Sequence, residues 1–108
     1  MTMKELHTHF NRNVYSTINW YTDPEVRSTL DKTRDEIKIV DEKTNPNRRS
    51  KNYPLRTLEF NDFRFVETLR TRAGDRGDIY HTPTGELVAT SVGYYDYLVF
   101  VWWFYNCR

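Results

Sequence analysis

The sequence predicts an α+β domain, with two N-terminal helices packed on one face of an antiparallel meander of about four strands. Three observations carry this. Apolar residues recur at helical spacing through the N-terminal third. From Leu55 onward the period shortens toward the two-residue alternation of strands. Glycines then fall at intervals that suit turns between those strands. At 108 residues the chain suits one domain with a modest core. Residues 1–108 divide into a helical part at 3–40, a basic loop at 41–54 and a β part at 55–106.

The first helix is expected over residues 3–21, where Met3, Leu6, Phe10, Val14, Ile18 and Tyr21 form one apolar stripe. Thr22-Asp23-Pro24-Glu25 opens the second. Thr22 and Glu25 fit a capping box, while Asp23 before Pro24 fits an N-cap followed by proline at the first helical position. That helix is expected to reach about Ile39 on a thin stripe of Val26, Leu30, Thr33, Ile37 and Val40. Its other side carries mixed charge, the pattern of a solvated face. Residues 41–54 hold two prolines, several asparagines and four basic side chains, and read as a long loop.

Leu55–Phe60 reads as a short strand, Asn61-Asp62 as a turn, and Phe63–Arg72 as a second strand. In that strand Phe63, Phe65 and Leu69 fall on one face, and Arg64, Thr68, Arg70 and Arg72 largely on the other. Residues 73–77 read as a glycine-bounded turn. Asp78–Thr82 and Glu86–Val92 flank Pro83-Thr84-Gly85, where proline suits the first corner of a type I turn and glycine the left-handed position after it.

The final stretch, Tyr94 to Tyr105, contains one formal charge, Asp96, among aromatic and aliphatic residues. Its β-favouring composition predicts a strand. Alternation would place Tyr95, Tyr97, Val99, Val101 and Trp103 on one side and Leu98, Phe100, Trp102 and Phe104 on the other. Both sides are apolar, and the two helices can cover one. The second side is then expected to meet a partner, which assigns Tyr95, Tyr97, Trp102, Trp103 and Tyr105 as anchors of the kind that dominate protein interfaces. A core strand with aromatic cross-strand pairs is the plainer reading of the same residues.

Net charge is +1, which gives no overall pull toward nucleic acid or anionic membrane. The local balance differs. Residues 48–76 hold eight basic side chains, seven of them arginine, against Glu59, Asp62, Glu67 and Asp75. Arg48, Arg49 and Lys51 in the loop and Arg64, Arg70 and Arg72 in the strand are expected to supply contacts to acidic protein or phosphate.

Sites for chemistry are sparse. His7-Thr8-His9 would put two rings on one side of a strand but not of a helix, so no metal site is expected. No glycine-rich loop precedes a helix, no cofactor motif occurs, and no catalytic residue is assigned. Cys107 is the lone cysteine, so no internal disulfide forms. With no apolar leader and no membrane-length apolar run, a cytoplasmic location without membrane contact is expected.

In size, aromatic content and balanced charge the chain resembles phage-encoded inhibitors of host proteins, such as anti-restriction and anti-CRISPR proteins. The resemblance is one of composition and assigns no residue. It implies a non-enzymatic inhibitor or adaptor that occludes a larger host enzyme or complex. A homodimer would use the same apolar patch. One alternative is a single-stranded nucleic-acid-binding protein using the arginine and aromatic sheet face. A second is a small ribonuclease with His7 or His81 as base.

Overall fold

In the computed structural model, which describes residues Met1–Arg108, three helical regions and a five-stranded antiparallel sheet form an α+β domain. Helix α1 (Met3–His9) starts at a capping box. Thr2 Oγ1 accepts the Glu5 amide at 3.1 Å, and the Glu5 carboxylate accepts the Thr2 amide at 3.4 Å. The helix widens into a π-helical segment at Phe10–Val14 and tightens to a 3-10 turn at Tyr15–Thr17. Helix α2 (Pro24–Glu36) starts as the Asp-Pro pair dictates. Asp23 Oδ1 accepts the Glu25 and Val26 amides, with Pro24 in the first turn. Thr22 does not cap it, because its hydroxyl donates to Asn19 Oδ1 at 2.8 Å.

The strands follow in sheet order: β1 (Lys38–Lys43), β2 (Leu55–Phe60), β3 (Phe63–Thr71), β4 (Gly74–His81) and β5 (Glu86–Val92). Strand β1 corrects the predicted count of about four. It takes the end assigned to the second helix and the start assigned to the basic loop. All six of its residues are exposed, so no burial alternation marks it in the sequence. The rest of that loop is pinned. Asn45 Nδ2 donates to Tyr53 O at 2.9 Å and to Arg70 O at 2.8 Å, and Arg48–Ser50 form a 3-10 turn. The Pro83-Thr84-Gly85 hairpin is as predicted, with Gly85 at φ +71°.

The main correction concerns the final stretch. Tyr94–Asn106 is a helix, α3, and not a strand. Tyr97, Leu98, Val99, Phe100, Val101, Trp102 and Trp103 are buried without interruption. A helix that is apolar on every side belongs at the centre of a core. Aromatic residues from the rest of the chain surround it. The Phe63 ring meets Phe100 at 5.4 Å and Phe104 at 4.9 Å, and Phe65 stacks on Tyr97 at 5.1 Å. From the N-terminal segment, Phe10 meets Trp103 at 5.0 Å and Phe100 at 5.4 Å. Helix α1 packs against β5 and α2 against α3. The buried Tyr97 hydroxyl donates to Phe63 O at 2.9 Å, so its polar atom is satisfied.

The sides of the expected strand therefore do not divide into shielded and open. One chain covers both, and the predicted need for a partner on an aromatic sheet face disappears. No helix is long and apolar enough to cross a membrane.

Candidate functional site

The inner face of the sheet is the face that α3 packs on. Phe63 and Phe65 project there from β3, and the strict alternation of a strand would place Leu69 beside them. A bulge intervenes. Glu67 pairs with Gly77 and Leu69 with Arg76, so β3 uses one residue more than β4 between those points. The alternation reverses beyond it. Leu69 turns outward, 48% exposed, and Arg70 turns inward opposite Asp75. Gly77 lets this crossing pack closely, since a Cβ there would lie 2.6 Å from Val66 O and 2.9 Å from the Phe65 ring.

Past the bulge only the start of α3 reaches the inner face. A cleft of about 740 Å³ opens there. Its walls come from Arg34 in the last turn of α2, Ile37 and Ile39 leading into and along β1, Tyr53 ahead of β2, the β3–β4 turn with Arg72 and Gly74, and Tyr94 and Tyr95 at the start of α3.

The floor is an ionic cluster. Arg56 Nε donates to Glu67 Oε1 at 2.9 Å and Arg56 Nη2 to Glu67 Oε2 at 3.2 Å; Nη2 also reaches Asp75 Oδ2 at 3.4 Å. The Arg56 amide adds a further bond to Glu67 Oε1 at 2.8 Å. Glu67 is 1% exposed. Burial opposes its charge, but hydrogen bonds from Arg56 and Asp75 together outweigh burial and hold it below the usual carboxylate range. Asp75 behaves oppositely. Burial first, then its hydrogen bond and repulsion with Glu67, push its carboxyl up to about 6. The two carboxylates lie over one guanidinium, and their mutual repulsion moves their titrations apart.

Arginines and tyrosines line the walls. Arg70 lies 5.7 Å from the Tyr53 ring centre and donates from Nη1 to Pro54 O at 2.9 Å. Arg34 lies 5.6 Å from the Tyr95 ring centre, and Trp20 stacks on the same ring at 5.8 Å. The ion pairs of the chain are Arg56–Glu67, Arg56–Asp75 and Arg64–Glu59. Arg34, Arg70 and Arg72 have no carboxylate partner, so three cations face one cleft with their charge unneutralised.

The residues predicted as partner-binding scatter. Tyr97, Trp102 and Trp103 are core, at 0%, 5% and 9% exposure, and cannot act as surface anchors in this monomer. Tyr95 and Tyr105 reach the surface at opposite ends of α3. Tyr95 lines the cleft, while Tyr105 accepts the Asp62 amide through its hydroxyl at 3.2 Å. Arg70 and Arg72 meet at the cleft. Arg64 does not join them, because it precedes the bulge and points outward to pair with Glu59. Arg48, Arg49 and Lys51 are exposed on the loop, outside the cleft lining.

The histidines do not converge. His7 is buried against Phe10 and Phe100, and burial lowers its pKa against the opposing pull of Asp96. His81 Nδ1 lies 2.8 Å from Thr84 Oγ1 in the β4–β5 turn. No three His, Cys, Asp or Glu side chains group as metal ligands would.

Sequence reasoning missed Arg34, Tyr53, Arg56, Glu67, Asp75 and Tyr94. The arginine excess at 48–76 was the available signal for part of the set; nothing in the linear pattern announced the bulge that gathers it. No protein-family model, curated protein or solved structure matches the chain.

Proposed function

We propose that the chain is a non-enzymatic interaction module that binds another protein through the arginine-rimmed cleft and acts by covering the surface it binds, as an inhibitor or adaptor. The observation that carries this reading is the set Arg34, Arg70 and Arg72, three guanidinium groups without carboxylate partners around one cleft. The most buried carboxylate of the chain, Glu67, is by contrast paired with Arg56. Complementary charge across an interface speeds encounter and fixes register. Tyr95, half exposed at the cleft mouth, adds an aromatic contact of the type that interfaces favour.

Compared with the reading of the sequence alone, the kind of activity is kept and the surface moves. The anchors are no longer alternate aromatics of a strand. They are cations brought together by the end of α2, the end of β3 and the β3–β4 turn.

The test is affinity capture from a cell extract with the intact chain and with an Arg34→Glu/Arg72→Glu variant of unchanged circular dichroism. The expected result is one protein retained by the parent and lost by the variant. Its activity should also fall when the parent chain is added. A retained protein that the variant holds equally well removes the cleft from the interface.

A further inference from the structure

Resting on that reading, we infer that the cleft receives an extended acidic segment of the partner protein, whose spaced carboxylates pair with Arg34, Arg70 and Arg72 above the Arg56–Glu67–Asp75 floor.

The spread of the cations argues for several separated anionic groups. Arg34 comes from α2, Arg70 from the end of β3 and Arg72 from the turn beyond it, on different walls of a cleft of about 740 Å³. One compact anion, such as phosphate, cannot neutralise cations distributed round a mouth of that size. A segment with side-chain carboxylates along its length can. Arginine presents its donors in a planar fork that matches a carboxylate edge to edge. Arg34 and Arg70 each lie over a tyrosine ring, which restricts where those forks can move. Ile37, Ile39 and Leu58 supply apolar wall for the methylene groups of acidic side chains and for the segment's backbone.

The same geometry argues against single-stranded nucleic acid. Base stacking needs free aromatic faces. Here Tyr53 lies against Arg70 and Tyr94 against Phe65 and Tyr95, and the half-exposed Tyr95 already stacks on Trp20, which leaves no row of free rings for successive bases. The rings are used to hold guanidinium groups and each other.

The floor fits the same ligand. Glu67 and Asp75 would repel incoming carboxylates if both were charged. Arg56 reaches both of them, Glu67 at 2.9 Å and Asp75 at 3.4 Å, and offsets their charge. The groups facing Asp75 are Arg56 from β2, Glu67 from β3 and Tyr94 from α3, with Arg70 opposite it in the ladder.

The experiment is calorimetric titration of the full chain with a capped hexaglutamate peptide at low salt. Inorganic phosphate and an oligothymidylate serve as competitors. The peptide should bind the parent chain, and an Arg34→Ala/Arg72→Ala variant should bind at least about tenfold more weakly. Arg48→Ala/Arg49→Ala, which removes an equal charge from the exposed loop outside the cleft, should leave the affinity unchanged; an equal loss there would mean bulk charge and overturns the inference. Displacement of the peptide by phosphate or oligothymidylate at lower concentration also overturns it, in favour of a phosphate site. If the peptide fails to bind while Arg34→Glu/Arg72→Glu still abolishes capture of a partner, the acidic segment is wrong and the interaction module stands. If capture is unaffected and the peptide still binds at these arginines, the site stands and the module reading fails.

Discussion

The two ends of the sheet's inner face are built from the same strands and do opposite things. At one end Phe63 and Phe65 on β3 and Ile79 on β4 lie at 0% exposure under α3. At the other, from the bulge onward, Glu67, Arg70 and Asp75 occupy the same face of those two strands, and only the first residues of α3, Tyr94 and Tyr95, stand beside them. The first end excludes water and supplies the stabilising burial. The second opens into the cleft and holds charges that a core could not keep unpaired. Apolar burial and clustered charge are therefore divided along the length of two strands, and not between opposite faces of a sheet.

The largest expected effect lies at the sealed end. Phe100→Ala removes a ring that touches Phe10, Phe63 and Trp103 and should cost about 3–5 kcal/mol in urea unfolding. A loss below about 1 kcal/mol would mean that α3 is not the centre of the core. Next comes Glu67→Ala, which leaves Arg56 half-buried without its main partner and should cost about 3 kcal/mol. It marks the boundary between the two ends, and a neutral outcome would show that the floor is solvated.

The third effect depends on pH. Folded Asp75 keeps its proton to about 6, whereas in the unfolded chain the same carboxyl loses it near 4. Between those values the folded state binds more protons, so stability falls as pH rises through the window, by on the order of 3 kcal/mol. Glu67, held below its ordinary value, acts the other way and withdraws stability only at lower pH. Asp75→Asn should flatten the fall between about 4 and 6 in unfolding curves. A slope that survives the substitution assigns the proton elsewhere. The smallest effect is expected at the rim, where Arg72→Ala should change stability by less than about 0.5 kcal/mol. A rim substitution that unfolds the chain would erase the distinction between the two ends.

Local chemistry in the sequence located several elements well. The Asp23-Pro24 start of α2, the strands from Leu55 and Phe63, and the hairpin about Gly85 all carry their own signals. The terminal helix was misread for a physical reason. A segment buried on every side has no polar period to distinguish 3.6 from 2, and composition then favours the strand. Two features spoke for the helix: the length of the run, beyond an ordinary strand, and Gly93 with Asp96, whose carboxylate accepts the Gly93 amide at 2.9 Å. Strand β1 was hidden differently, since its form comes from pairing with β2 and none of its residues is buried. The cleft was legible only as an excess of arginine. Which arginines meet depends on one extra residue in β3, and that is a property of the pairing between strands.

Helix α3 follows every strand in the chain, which has a consequence for synthesis. As the polypeptide emerges from a ribosome, the whole meander appears before the segment that fills it. Phe63, Phe65 and Ile79 would line an empty groove during that interval, open to chaperones or to neighbouring nascent chains. Closure of the core must wait for Tyr94–Asn106, and a chain cut short before that segment would leave the same apolar groove uncovered.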